Sequence, residues 1–436
     1  MKIKAFKAYR FDEAVVGDAG KCIAPPYDVI NGDQQDRLYE KSEYNIVRII
    51  KGKTFPSDSE SNNQYTRAAD CLNSWIEKGI LKQDGREAIY AYVQDFELAG
   101  NSFQRFSFIA LAKLEEFGKI VRPHEQTLAK PIADRLNLKR ATRAELGLVF
   151  MLYKDSQAIA DKIIEKTAAE DPLIDFVDEQ NVRHRLLAVT GKDDIDAISK
   201  MMKDKSCIIA DGHHRYTTGL TYAKETLDQS AKYQMLAFSN TEHEGLIVLA
   251  THRVVSNLGN FGFQKLLEDL KNNFEIAEFG FGTSQDKSDS QKKMLAQMKA
   301  EYDSDKNAFG IYGGNNAFYV ATLKNKKAMD EIAAEKSPVW RSLDVSVLHK
   351  MILEQSLGID EKKLVNQSNV EYIKDAENVI DLAIADIDTG KKQVAFFMNP
   401  PKIEQIEMTT DHGERMPQKS TYFYPKIFTG LTINKL

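Results

Sequence analysis

Residues 206–216 read Ser206-Cys207-Ile208-Ile209-Ala210-Asp211-Gly212-His213-His214-Arg215-Tyr216. The apolar run up to Ala210 predicts a short buried strand, and Tyr216–Leu227 predicts a helix with Leu220 and Ala223 on one side. Strand, tight polar turn and helix together frame a phosphate or ligand site. The first helical turn leaves N–H groups unpaired and carries partial positive charge. Gly212 permits positive φ or a close approach of ligand to backbone. Arg215 suits a bidentate grip on phosphate oxygens, with Tyr216 beside it as a further ligand contact. His213 and His214 can donate to phosphate, ligate a metal or transfer a proton. Asp211 can hold Mg²⁺ through one carboxylate. The competing reading is a capped helix start, with Asp211 as the cap and the histidines partly exposed. Zinc fits less well, because adjacent histidines point apart and no other His/Cys pair has ligand spacing.

Upstream, Arg122-Pro123-His124-Glu125-Gln126-Thr127 is followed by Lys130 and Asp134. Glu125 is a candidate general base with His124 beside it, and Arg122 and Lys130 could neutralise phosphate. Between Arg122 and Arg143 the chain holds Arg122, Lys130, Arg135, Lys139, Arg140 and Arg143 against Glu125 and Asp134, a local excess of +4. A solvated helix face would account for the same residues. Downstream, residues 413–426 read GERMPQKSTYFYPK, cationic, aromatic and hydroxyl-rich, with Arg415, Lys419 and Ser420 as candidate ligand contacts. An aromatic segment packed on the core is the plainer explanation. Arg253, after His252, could bring another cation to a cleft. Ala24-Pro25-Pro26-Tyr27-Asp28-Val29-Ile30 predicts a rigid turn with Asp28 as a helix cap.

Around these clusters, periodicity predicts a helix over Ser59–Lys78 and a hairpin of Ala88–Phe96 with Phe103–Leu111 across Ala99-Gly100-Asn101. Strands are expected at Gly147–Tyr153, Val182–Val189, Gly245–Val255, Ala308–Tyr312, Ala317–Leu323 and Gln393–Met398. Helices are expected at Ser156–Ala169, Asp193–Lys205, Phe263–Phe274, Gln291–Tyr302, Val345–Leu357 and Ala376–Ala385. The fold class is mixed, α/β to α+β. The expected division is 1–255 and 256–436, with Lys336-Ser337-Pro338 as an inner boundary. At about 150 residues per domain the 436 residues make two or three.

Composition excludes more than it names. The 59 Lys and Arg against 64 Asp and Glu give a net charge of −5, the opposite of a nucleic-acid footprint. No apolar run approaches the roughly 20 residues of a membrane helix, and the N-terminus has no signal-peptide pattern. Three scattered cysteines make neither a disulfide framework nor a metal knuckle, so a cytoplasmic setting is expected. No Walker A, GxGxxG, HExxH or GxSxG motif is present.

APPYDVI at 24–30, RPHEQT at 122–127, ADGHHRYTT at 210–218, THR at 251–253 and MPQKSTYFYPK at 416–426 resemble the bacterial family catalogued as domain of unknown function 1015. That resemblance spans nearly the whole chain. The turn Asp211–Arg215 also resembles the nucleotide- and phosphate-binding turn of the ParB/Srx-like superfamily, which includes CTP-binding partition proteins, sulfiredoxin and nucleotide-dependent free-serine kinases. It implies a ParB/Srx-like nucleotide-binding element around Asp211–Arg215, beside a second α+β region. It further implies a nucleotide (ATP, ADP or CTP) with Mg²⁺ at Asp211, Gly212, His213, His214 and Arg215, and a small hydroxylated acceptor such as serine. Glu125 is carried over only as a candidate acid/base residue, since its flanking sequence does not match. The alternative is a ParB-like nucleotide-binding regulator without turnover; absence of a helix-turn-helix and the acidic charge speak against DNA.

Overall fold

The computed structural model describes residues 1–127, 129–366, 368–375 and 378–436. The chain forms two compact units. Met1–Pro123, Thr127–Ile247 and Pro425–Leu436 make the first; His124–Gln126 and Val248–Tyr424 make the second.

A nine-stranded mixed sheet organises the first unit. Its path runs Val121–Pro123, Cys207–Asp211, Val149–Tyr153, Tyr233–Asn240, Asn101–Lys113, Ile89–Leu98, Arg183–Val189 and Ile174–Val177, with Ile3–Lys4 added beside Asn101–Lys113. Val121–Pro123 lies parallel to Cys207–Asp211, and Val149–Tyr153 parallel to Tyr233–Asn240; the other pairs are antiparallel. The expected hairpin is its centre, turning where Ala99 and Gly100 take φ of 50° and 77°. Such a turn matches the right-handed twist of the strands it joins. One face buries Val93, Phe108, Met151, Ile209 and Phe238 together with Ile164 and Met202 from flanking helices. Cys22, Ile46, Leu72, Trp75 and Ile433 form a separate core. The helix Gln64–Glu77 is capped by Asn63, and Gly32–Lys41 by Asn31. Asp28 is therefore not a helix cap: Asn31, three residues on, accepts from Gln34 N–H at 2.8 Å.

The second unit is built on a six-stranded antiparallel sheet ordered Phe274–Gly280, Ala317–Leu323, Ala308–Tyr312, Val394–Phe397, Thr251–Val255, Val370–Lys374. Ser284–Asp303 and Val379–Asp388 cover one face, burying Met294, Met298, Ile384 and Ile387 on Phe318 and Phe397. The expected helix Ala376–Ala385 begins on two residues outside those described and is seen from Val379. The run expected as one strand, Gly245–Val255, changes sheet at Ala250, its first part pairing with Tyr422–Tyr424. Lys336-Ser337-Pro338 is a helix start inside this unit. The Ser337 hydroxyl accepts from Trp340 N–H at 3.1 Å and Pro338 stands at the first helical position. Val345–Leu357 divides into an α-turn, Asp344–Val347, and a π-helix, Leu348–Ser356. No helix among the described residues is long and apolar enough to cross a membrane.

Candidate functional site

The strand Cys207–Asp211 is interior because Cys207 and Ile209 belong to the sheet's core. Its register against Val149–Tyr153 slips by one residue between Ile209 and Asp211. Such a bulge re-aims the following side chain. Gly212 then takes φ 93°, ψ 28°, and the helix His213–Glu225 starts at once with no side-chain cap. The capped-helix alternative therefore fails: Asp211 ends the strand, and Gly212 holds the cap position. Gly212 is needed twice over, for its left-handed φ and because a Cβ there would stand 3.0 Å from Arg215 Nε.

Asp211 is held by two cations. Lys426 Nζ donates to Oδ2 at 2.7 Å, and Arg215 Nη2 lies 3.4 Å from Oδ1. Burial by itself would raise this carboxyl, but Lys426 and then Arg215 reverse that and hold it far below the usual carboxylate range. Arg215 Nη1 donates to Leu148 O, while Nε has no partner among the described residues. His213 is buried and His214 half-buried in the same helical turn. Tyr216 does not join them. It is fully buried, with its hydroxyl donating to Glu115 O at 2.8 Å and accepting from Glu115 N–H at 3.1 Å. Lys426 was missed by sequence reasoning, which took Lys419 from the same segment.

The positive excess over 122–143 is largely neutralised in three dimensions. Arg135 pairs with Asp134 at 2.5 Å, Lys139 with Glu145, Arg140 with Glu225 at 2.7 Å and Arg143 with Asp228 at 3.4 Å. Three of those acids lie outside the segment, so counting charges along the chain could not reveal them. Arg122 reaches Ser206 Oγ at 3.4 Å, and Lys130 is exposed on the first turn of Ala129–Thr142.

The remaining candidates belong to the second unit. His124 is fully buried, shares a 2.8 Å hydrogen bond with Thr421 Oγ1 and accepts from Met416 N–H at its carbonyl. Arg253, also fully buried, donates to Thr251 O and to Lys419 O at 3.0 Å, and lies 5.3 Å from the Tyr372 ring. Burial draws its pKa down to about 10, opposed by Tyr372 and Glu125. Lys419 has φ 56°, Ser420 Oγ donates to Pro417 O, and exposed Arg415 accepts from Trp340 Nε1 at 3.0 Å. These contacts describe a segment fastened by its backbone. Near them, Asp344 accepts from Asn307 at 2.6 Å, and burial pushes its carboxyl up to about 7, against that hydrogen bond. An acid raised in the folded state loses stability as pH climbs from its unfolded value of about 3.9. Asp344→Asn should leave Tm unchanged at pH 4 and raise it by pH 7, on the order of 1 kcal/mol or about 2–4 °C. Melting curves at both pH values check this; equal shifts at both would contradict it.

Among the described residues no three His, Cys, Asp or Glu side chains are grouped to hold a metal. Lys426 and Arg215 each already take one Asp211 oxygen, so a metal cation there would bind against two neighbouring positive charges. The residues as arranged do not fit a protein-built Mg²⁺ site.

The profile of the family described as protein of unknown function (DUF1015) matches residues 3–346. No curated protein matches the sequence. Among solved structures, a free serine kinase in complex with AMP is similar at TM-score 0.33 and 14% identity, over 72% of this chain and 86% of that one. A conserved hypothetical protein from Pyrococcus furiosus is similar at TM-score 0.33 and 15% identity, over 73% and 92%. SbnI from Staphylococcus aureus, with a C-terminal truncation, is similar at TM-score 0.34 and 10% identity, over 75% and 87%.

Proposed function

The chain belongs to the DUF1015 family, whose description assigns no activity, and we propose that it is a nucleotide-dependent phosphotransferase acting on a small hydroxylated metabolite. One observation carries this reading: an uncapped helix start behind a left-handed glycine, with Arg215 and Lys426 locked onto one carboxylate beside it. Phosphoryl transfer breaks the bond from the terminal phosphorus to its bridging oxygen, which leaves on the shortened nucleotide, and forms one to the acceptor oxygen, whose proton passes to water or to the departing phosphate. Its catalysis is mainly positioning and charge neutralisation. The N–H groups of His213, His214 and Arg215 would face the phosphate, and Asp211 would hold the two cations in place. Serine is the first acceptor to try, on the resemblance of Asp211–Arg215 to the free-serine kinases' turn.

The paired state of Asp211 favours a second reading, a nucleotide-binding regulator without turnover. Incubation with ATP, ADP or CTP, Mg²⁺ and a panel of hydroxylated acceptors including serine separates the two. A new phosphate ester is the expected result. No ester with any nucleotide removes the phosphotransferase. Nucleotide-dependent stabilisation without product, about 2.7 kcal/mol at 100 times Kd, would establish the regulator instead.

A further inference from the structure

Arg105 is fully buried in the first unit, and no carboxylate among the described residues pairs with it. Its Nη2 donates to Pro425 O at 2.6 Å and to Gln94 Oε1, and its guanidinium lies 4.9 Å from the Phe150 ring centre. Burial draws its pKa down to about 10, opposed by Tyr92, so it stays charged at neutral pH. A buried cation without a counter-charge is costly, and apolar residues of similar volume would serve the fold at least as well. Its place in the central hairpin therefore points to a task other than stability.

The partners of Arg105 define that task. Gln94, also fully buried, stands directly opposite it in the hairpin register. Val93 and Phe106 beside them enter the sheet's core, so alternation turns Gln94 and Arg105 to the other face. There Gln94 Nε2 donates to Lys426 O at 3.0 Å. The two side chains thus take the carbonyls immediately before and after the Lys426 Cα, those of Pro425 and of Lys426 itself. Two residues on, the Phe428 ring packs 4.6 Å from that of His184, and Thr429 exchanges backbone hydrogen bonds with Ala24 at 2.8 and 3.1 Å. From this fixed backbone Lys426 extends its ammonium to Asp211 Oδ2 at 2.7 Å. Lysine is a point charge on a flexible stem, so where its backbone is held decides where the charge can stand.

We propose that Gln94 and Arg105 are positioning residues for Lys426, clamping the carbonyls on either side of it so that its ammonium stands at Asp211 to meet a phosphate. The proposal deepens the phosphotransferase reading and rests on it only in giving that ammonium a phosphate to meet.

Titration of the full chain with ATP, ADP and CTP, on Arg105→Met and on Gln94→Glu, each with and without Lys426→Ala, tests it. With Lys426 present, each variant should weaken binding roughly 10-fold or more, the effect of losing a hydrogen bond to a charged group. In the Lys426→Ala background each should change binding by no more than about twofold, because residues acting through one group are not additive. Acetic anhydride labelling without nucleotide, read by mass spectrometry, should find Lys426 reacting several-fold faster in both variants. Lys435, on the same segment with its ammonium on Thr142 O, should react at the wild-type rate. Gln94→Glu decides alone should Arg105→Met fail to fold, since it gives the buried guanidinium a carboxylate. The proposal is overturned if folded Gln94→Glu binds nucleotide as tightly as wild type, or if the loss persists undiminished in Lys426→Ala. It is equally overturned if Lys426 labels at the wild-type rate, or if Lys435 is released together with it. A wild type that binds no nucleotide, with Lys426 alone released in the variants, would sink the phosphotransferase reading and leave the clamp standing.

Discussion

Asp211→Asn should cost about 3 kcal/mol of stability at pH 7, the lower end for breaking a buried ion pair. The lower end applies because the side chains of Asp211 and Lys426 keep 19% and 15% of their exposure. The asparagine is nearly the same size, so packing is retained and the loss is electrostatic. Arg215 and Lys426 would then face one another without the carboxylate between them. The pH dependence identifies the cause. A carboxyl depressed by folding contributes its stability above the unfolded value of about 3.9, and loses it as pH falls towards the folded one. Wild type should therefore lose this contribution below about pH 5, whereas Asp211→Asn has none to lose. Denaturant unfolding at pH 7 and pH 3 should show the gap narrowing; a gap constant with pH would show that the cations were not the partners.

Arg215→Lys should weaken nucleotide binding by roughly 10- to 100-fold, the range for one hydrogen bond to a charged group. Lysine keeps the charge and loses the fork, which here holds two partners at once. Nη1 holds Leu148 O and Nη2 reaches Asp211, while Nε is buried without a partner among the described residues. A compact ammonium has three donors but lacks the planar spacing that reaches both partners together. Lys426→Ala measured in parallel reports the loss of charge without loss of the fork. Equal affinity in Arg215→Lys and wild type, in a titration of nucleotide at fixed salt, would show that the guanidinium is not a ligand contact.

Local chemistry made part of this legible from sequence. Ala99-Gly100-Asn101 between alternating apolar runs announced the central hairpin, and Cys207–Ala210 followed by Asp211-Gly212 announced the strand and turn. Each depends on residues adjacent in the chain, where turn propensity and periodicity act. What stayed hidden depends on distant partners. Lys426 meets Asp211 across 215 residues. The basic run over 122–143 reads as a ligand surface until Glu145, Glu225 and Asp228 are seen to neutralise three of its members. Tyr216, beside Arg215 in the chain, points instead to Glu115 and the core, because neighbours on a helix face different ways. The slip at Ile209/Asp211, which aims the carboxylate, leaves no mark in composition.

The most direct measurement is a crystal structure of the chain with bound nucleotide. A phosphate within hydrogen-bonding distance of the N–H groups of His213–Arg215 and of the Arg215 guanidinium is the predicted result. A nucleotide seated elsewhere, with Arg215 still bound only to Leu148 and Asp211, would contradict the account.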